Sequence, residues 1–553
     1  MRSDFTVGHY LLQRLKELGI DRVFGVPGDY MLDFIEMICD DDELAWNGNC
    51  NELNAAYAAD GYARVKGAAA LVVTGGVGDL GAVGGVGGSY AENVPIVVVS
   101  GTPGPEPGPS GRPMVHHSLG DGSFRAFARM YAEITVAQIE VTRDDAPRQI
   151  DRACRRAWQD RKPVFIVLPA DVATMPAVPP RQPLDLRPPA SDPDELEDFT
   201  AQLRGLVQTA EDTVVLVDTG VRQVRQIASV AGVLESTGVP WASTRAASWD
   251  LDTSGAGYLG VYYGSAGQNP AVARVEQADV LIRLGSRPDE FGAGKADPAY
   301  AGTELVDITP VGATLAGRHF ATLQMAEVLA VLETVLGRGT PGTAGSLKAA
   351  ATPSPAAEAL KPLTQDRFWQ QLSGYIAPGD RIVVDTGTCN AGLRSMTLPA
   401  DVSVLTQNIW ASIGWSLPAL HGAHHAEPSV RHILLIGDGA FALTMQEMST
   451  MLVSGQAPLL VVLNNGGYLI EDVAGGRKMV CNDLWRWRYS TLPEALDGNG
   501  QFKPLGLRVR TEDELESALT EAGRAQADGR LVLLEVVLDR DDVPRLMRRA
   551  RRP

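Results

Sequence analysis

Apolar residues in this chain gather into short runs closed by glycine, proline or a small polar residue. DRVFGVPG (21–28), AAALVVTGG (68–76), PIVVVSG (95–101) and PVFIVLP (163–169) have this form, as do TVVLVDTG (213–220) and DVLIRLGS (279–286). Short, continuously apolar runs rich in Val and Ile predict strands buried on both faces. Helical patterns lie between them, and strands alternating with helices predict parallel sheets. The opening MRSDFTVGHYLLQRLKELG reads as an amphipathic helix, not a signal peptide. No apolar run nears the ~18 residues of a membrane span.

The clearest unit spans 432–465. HILLI closes on GDG, Met445, Met448 and Leu452 fall at helical spacing, and Pro458 opens a second run, PLLVVL, that ends in Asn464 and Asn465. Strand, helix, strand predicts a right-handed crossover with both strands parallel. Asp438 and Asn465 then lie just past neighbouring carboxyl ends, the edge at which open α/β sheets bind ligands. One carboxylate, one amide oxygen and the free carbonyls of the following loop are hard ligands. They suit Mg²⁺, with a diphosphate and water completing the shell. Gly437 and Gly439 let backbone N–H groups approach phosphate at a helix start. GDG alone is a common turn; GDG followed at this distance by NN is far more specific.

Composition shifts divide the chain into an α/β segment 1–185, a second at 196–336, a linker at 337–358 and a third segment at 359–553. The Pro-rich PAVPPRQPLDLRPPASDPDE closes the first, and the linker is rich in Gly, Ala, Ser, Thr and Pro. AALVVTGGVGDLGAVGGVGGSYAENVPIVVVSG and ILLIGDGAFALTMQEMSTMLVSGQAPLLVVLNN repeat one order of strand, glycine-rich turn, helix and strand. The expected fold is α/β, with three doubly wound parallel-sheet domains of which the first and third are related.

Charge narrows the function. With 67 acidic and 49 basic residues the net charge is −18, which argues against a nucleic-acid binder. Five scattered cysteines without CxxC spacing fit a reducing cytoplasm and no zinc site.

GVPGDY (25–30), NELNAAYAADGYAR (51–64), GGSYAENVPIVVVSG (87–101), VHHSLGDG (115–122), NIWASIGWS (408–416), GDGAF…LNN (437–465) and GYLIED (467–472) follow one another in order. In this set the chain resembles the thiamine diphosphate-dependent 2-oxo acid decarboxylases of the pyruvate and indolepyruvate decarboxylase type. The resemblance implies pyrimidine-binding, central and diphosphate-binding domains. It implies thiamine diphosphate and Mg²⁺ as cofactors, and at least a homodimer, often a homotetramer, with the cofactor between subunits.

Residue by residue, the resemblance makes Asp438, Asn465 and the Gly467 carbonyl the metal ligands. Glu52 matches the glutamate that promotes the imino tautomer of the cofactor's aminopyrimidine; burial would raise its pKa and favour a shared proton. Ile413 matches the wedge that bends the cofactor, and the Ala411 carbonyl should accept from its amino group. Thr386, Gly387 and Thr388 fall where the family contacts the diphosphate or lines the site, and Gly437, Gly439, Ala440 and Tyr468 flank the metal motif. Asp29, His116, His117 and Glu471 form the implied proton-handling set. Adjacent histidines in an extended segment face opposite ways, so the pair implies a loop with two jobs. One histidine would meet substrate oxygens and the other would orient Asp29. The glycine-rich 75–88 could suggest a dinucleotide fingerprint, yet no acidic residue follows a second strand at the expected distance.

Substrate size rests on Cys389 and Asn390 in DTGTCNAG and on Ile470 and Ala474 around Glu471. Relatives often carry Asp and an aromatic where Thr388, Cys389 and Asn390 stand, and a bulkier aliphatic residue where Ala474 stands; the resemblance therefore implies a wide pocket and a large or aromatic 2-oxo acid, decarboxylated to the aldehyde and CO₂. A wide pocket also admits a dedicated carboligase that couples the decarboxylated acid to an aldehyde or acyl thioester. A non-catalytic relative is the third reading. The tail RLMRRARRP is short for the C-terminal helix that often covers the site in relatives.

Overall fold

The computed structural model describes residues 5–104, 115–253, 255, 257–264, 270–287, 300, 302–337, 360–399 and 401–551. The expected linker, apart from Gly337, lies outside the described residues. The chain divides into two compact units, one built from Met1–Leu186 with Thr352–Pro553 and the other from Arg187–Ala351.

The first unit opens with β1 (Arg22–Gly25), β2 (Ala45–Gly48), β3 (Ala69–Thr74), β4 (Ile96–Thr102), β5 (Gln138–Glu140) and β6 (Val164–Pro169). They form a parallel sheet in the order β2-β1-β3-β4-β6-β5. Side chains alternate along a strand, so Ala70 and Val72 enter one core while Ala69, Leu71 and Val73 enter the other. Both faces are covered, which is why β3 and β4 read as unbroken apolar runs.

The second unit holds β7 (Thr213–Val217), β8 (Trp241–Thr244), β9 (Tyr258–Tyr262), β10 (Val280–Leu284), β11 (Glu304–Ile308), β12 (Val311–Leu315) and β13 (Arg318–Gln324). Their order is β13-β12-β11-β10-β7-β8-β9. The expected parallel sheet is present, with an antiparallel hairpin added at one edge. β7 to β11 are parallel, but β12 and β13 run antiparallel at one edge. Ala316 (φ 50°) and Gly317 (φ 77°) form the two-residue turn between them. Two successive positive φ values match the twist of a hairpin, which sends β13 back along β12.

The first unit resumes with β14 (Arg381–Val384), β15 (Ser403–Leu405), β16 (His432–Gly437), β17 (Leu459–Asn464), β18 (Leu505–Val509) and β19 (Val532–Val537). The order β15-β14-β16-β17-β19-β18, again parallel, repeats the first sheet strand for strand. The echo in the sequence is thus an echo in topology. In both sheets the order reverses between the first and third strands, a crevice that favours ligands. The single helix expected between Asp438 and Pro458 is two, Asp438–Thr444 and Glu447–Val453. The break at Met445–Gln446 turns Glu447 toward the first sheet's loops, where Asn49, Cys50 and Asn54 donate to its carboxylate.

The two parallel halves of the first unit meet along helices Glu52–Lys66 and Ser416–Ala426. A Cβ on Gly61 would lie 2.0 Å from the Ala419 carbonyl oxygen, and one on Gly422 would lie 1.8 Å from that of Ala58. Backbone therefore packs on backbone. Trp415 donates to buried Asp60 at 2.9 Å, and Arg64 covers the Trp415 ring while pairing with Asp60.

Helix Ser416–Ala426 also carries His421, His424 and His425, with His432 beside His424. Burial, reinforced by neighbouring positive charge, depresses His424 to about 4 and His432 to about 3, and lowers His425 as well. These rings stay neutral in the fold but take protons below about 6.5 when unfolded. A depressed folded pKa gives stability that is present above 6.5 and lost as pH falls. His425→Leu removes one such group. Relative to wild type it should therefore gain about 2 kcal/mol between pH 7 and pH 5. Urea unfolding of both proteins at the two pH values checks the sign.

Candidate active site

Asp438 follows β16 and Asn465 follows β17, with Gly437 opposite Leu463 in the ladder. The two reach each other through the loop. Asp438 Oδ2 accepts from Gly466 N at 2.7 Å, Oδ1 from Gly439 N at 2.9 Å, and Asn465 Oδ1 from Gly467 N at 3.2 Å. Asn464 faces the other way and donates to buried Glu535 at 2.8 Å. One asparagine thus anchors the strand while the next serves the loop. Asp438 is buried, and desolvation pushes its carboxyl up to about 6 despite both N–H donors. A Cβ on Gly437 or Gly387 would meet nothing within 4 Å, so open space borders both turns. On Gly439 it would strike the Tyr468 ring at 2.4 Å. A buried carboxylate beside an amide, with open room at two glycine turns, fits a hard dication carrying a diphosphate.

The NIWASIGWS loop is gripped from both halves. Glu92 Oε1 accepts from the N–H groups of Asn408, Ile409 and Trp410, and Tyr57 Oη lies 2.6 Å from Ser412 Oγ. From the far side, buried Asp385 accepts from Ser416 Oγ at 2.6 Å and from Gly414 and Ser416 N–H groups. Desolvation pushes Asp385 up to about 6. Between these anchors Ala411 adopts φ 52° and Gly414 φ 88°. A left-handed alanine is strained, and it turns the Ala411 carbonyl out of the regular path. Ile413 is partly buried against the Trp415 and Leu417 core. Sequence reasoning did not single out Asp385 and Glu92; their signal was position, each lying inside or beside a motif.

The first half supplies a second cluster. Asp29 begins a short turn after β1 and Gly28. His116 Nε2 lies 2.8 Å and His117 Nε2 3.8 Å from its carboxylate oxygens, and the two rings are 4.4 Å apart. The pair lies in a loop, as expected: His117 takes φ 65°, and the chain turns so that both rings reach Asp29. Tyr30 Oη touches His116 Nδ1 and the His116 carbonyl, both at 3.2 Å.

The glycine-rich stretch explains how these parts assemble. A Cβ on Gly76 (φ 81°) would lie 1.9 Å from the His117 carbonyl, and one on Gly81 would lie 2.8 Å from Glu52 Oε2. Gly85 admits Ala56, and Gly88 admits Trp410. One helix, Val77–Ala91, thus lets the His117 loop, the Glu52 helix and the Trp410 loop approach. Glu52 opens its helix just after the Asn51 cap and is half-buried.

Among the described residues, no hydrogen bond or ion pair joins Glu52, Asp29 or the histidines to Asp438, Asn465 or Glu471 within the chain. Glu471 is exposed on helix Leu469–Ala474. Ile470 packs with Val473, Val543 and Met547, so the short tail does reach this helix. Ala474 is exposed. Cys389 is buried with its thiol on the Asp385 carbonyl, and burial pushes that thiol up. Asn390 is held by Thr406 and Arg394. Thr386, Gly387 and Thr388 are partly exposed at the end of β14, and Ala440 is buried in helix Asp438–Thr444.

Comparison with known proteins agrees with this layout. Residues 5–107 match the N-terminal TPP binding domain of the thiamine pyrophosphate enzymes, 200–335 the central domain and 385–536 the C-terminal TPP binding domain. An alpha-keto-acid decarboxylase of Mycolicibacterium paratuberculosis is 40% identical over 561 residues, covering 99% of this chain and 96% of the relative. Proteins of the same description from Mycobacterium avium (39%, covering 99% and 96%) and Mycobacterium tuberculosis (40%, covering 98% and 96%) are similar over comparable lengths.

Gly76 offers a direct check on the assembly. Gly76→Ala adds a Cβ where the His117 carbonyl sits and strains a positive φ. It should cost about 1–3 kcal/mol in urea unfolding and shift the His116 and His117 ring resonances in NMR spectra.

Proposed function

Because the chain belongs to the thiamine diphosphate-dependent 2-oxo acid decarboxylase family, we propose that it uses that cofactor with Mg²⁺. The reaction is the decarboxylation of a large or aromatic 2-oxo acid to its aldehyde and CO₂. The observation that carries the cofactor reading is the join of buried Asp438 to the Asn465 loop through Gly466 N. In this reading Asp438, Asn465 and the Gly467 carbonyl hold the metal, and Gly437, Gly439, Ala440, Tyr468 and the Thr386–Thr388 turn border the diphosphate. Bound thiamine diphosphate supplies a nucleophilic carbon and an electron sink for the loss of CO₂.

The chain's own groups do the rest. Glu52, whose carboxylate borders Gly78 and Gly81 of helix Val77–Ala91, holds a proton at the pyrimidine in this reading. The strained Ala411 carbonyl accepts from the amino group, and Ile413 sets the bend. Asp29 and His116 form a hydrogen-bonded pair with His117 alongside, an arrangement that suits holding and returning a proton. Glu471 would stabilise charge that develops as CO₂ departs. In this reading the protein is a homodimer or homotetramer whose site takes one half from each of two copies.

The substrate reading rests on Ala474. Cys389 and Asn390 are turned into the fold, which leaves the small, exposed Ala474 as the residue arguing for width. Decarboxylation should be measured with thiamine diphosphate, Mg²⁺ and a panel running from pyruvate to phenylpyruvate and indolepyruvate. Aromatic acids should give the higher kcat/KM; a clear preference for pyruvate overturns the substrate reading. Coupled product without free aldehyde, once an acceptor is added, would replace decarboxylase by carboligase.

Two variants sharpen the reading. Glu52→Gln should lower turnover by about 10²–10⁴-fold while cofactor binding, read by calorimetry, persists. Ala474→Phe should reduce kcat/KM for the aromatic acids by about tenfold or more relative to pyruvate.

A further inference from the structure

After β19 the chain turns at 539–542, and Arg540 reaches back to the Asn465 loop. Its guanidinium lies on the backbone of Gly467, where a Cβ would come within 2.5 Å of it. The same group pairs with Asp472 Oδ2 at 2.8 Å and Asp483 Oδ1 at 3.2 Å, and donates to the Asn482 carbonyl at 3.3 Å. The Arg540 side chain is 12% exposed and that of Asp472 is 2% exposed.

The partners are themselves tied together. Asp472 Oδ1 accepts from Asn482 Nδ2 at 2.7 Å and Met479 N at 3.0 Å. Tyr468 N donates to the Asn482 carbonyl at 2.8 Å, Leu484 N to the Gly466 carbonyl at 3.0 Å, and Gly467 bridges Asp483. One planar cation therefore touches three segments. The first carries Asn465 and Gly467, the second carries Glu471 next to Asp472, and the third is 479–484. A guanidinium fork can fix two carboxylates and a carbonyl at set angles, which a point charge cannot.

We infer that Arg540 is a positioning residue that sets the Gly467 carbonyl and the Glu471 helix in the geometry the metal and the substrate require. It acts through Gly467 and Asp472 and touches neither cofactor nor substrate. The inference rests on the reading of Asp438, Asn465 and Gly467 as the Mg²⁺ site.

Binding tests it without recourse to turnover. Mg²⁺ is titrated into the full chain at fixed thiamine diphosphate, and the intrinsic tryptophan fluorescence, to which Trp485 and Trp487 close after Asp483 contribute, is recorded. Arg540→Gln should raise the Mg²⁺ concentration for half-saturation at least tenfold, and Arg540→Lys should fall between it and wild type. Exposed Arg510 supplies the control, Arg510→Gln, expected to match wild type. Thermal unfolding without cofactor should differ little between Arg540→Lys and wild type, which separates positioning from general stability. A half-saturation within twofold of wild type in Arg540→Gln overturns the inference. Should that variant not fold, Arg540→Lys decides: a threefold rise supports positioning and an unchanged value overturns it. Failure of the wild type to bind Mg²⁺ with thiamine diphosphate would instead overturn the metal-site reading.

Discussion

The architecture of the first unit depends on two helices packed backbone to backbone. Gly61 against Ala419 and Gly422 against Ala58 leave no room for a Cβ. Larger residues would separate the two sheets, and with them every loop gripped across the seam. Tyr57 on one helix could not then reach Ser412, nor Trp415 its Asp60 partner. At these glycines and alanines the two helices leave no spare volume, so the tolerance of the seam is low; a packed interior yields little to added volume.

Around that seam, buried carboxylates fix loops. Glu92 gathers three consecutive N–H groups, Asp385 holds Gly414 and Ser416, and Glu447 collects Asn49, Cys50 and Asn54. A buried carboxylate is costly unless hydrogen-bonded, and these are satisfied chiefly by backbone and amide donors. Each therefore imposes a loop geometry, since its oxygens demand donors at set positions. Asp438 uses the same chemistry, holding the Gly439 and Gly466 N–H groups beside the open space at Gly437.

Much of this was legible in the sequence. Unbroken apolar runs gave the parallel strands, and the GDG and NN ends of β16 and β17 foretold that Asp438 and the Asn465 loop would meet. What escaped depends on long-range packing. The hairpin of β12 and β13 rests on an Ala–Gly turn that carries no strong local signal. The convergence of His116 and His117 needed a positive φ at a histidine, which periodicity does not reveal. Cys389 and Asn390 looked like pocket wall because they follow a glycine turn, but their side chains find partners inside the fold. Arg540 sits in an ordinary charged stretch, DRDD, and nothing local marks which of its charges is buried.

The first unit is discontinuous: Arg187–Ala351 separates its two portions. During synthesis the alanine-rich face of helix Glu52–Lys66 must wait for its partner helix until the intervening unit has been made. At ribosomal speeds of about 5–20 residues per second that delay is on the order of ten seconds or more. The nascent first sheet spends that time with a glycine- and alanine-lined surface uncovered. Leu53 and Tyr57, which enter the core of the later sheet in the finished fold, are the large side chains left without that cover in the interval, so the order of synthesis sets how long the seam stays open to errant association.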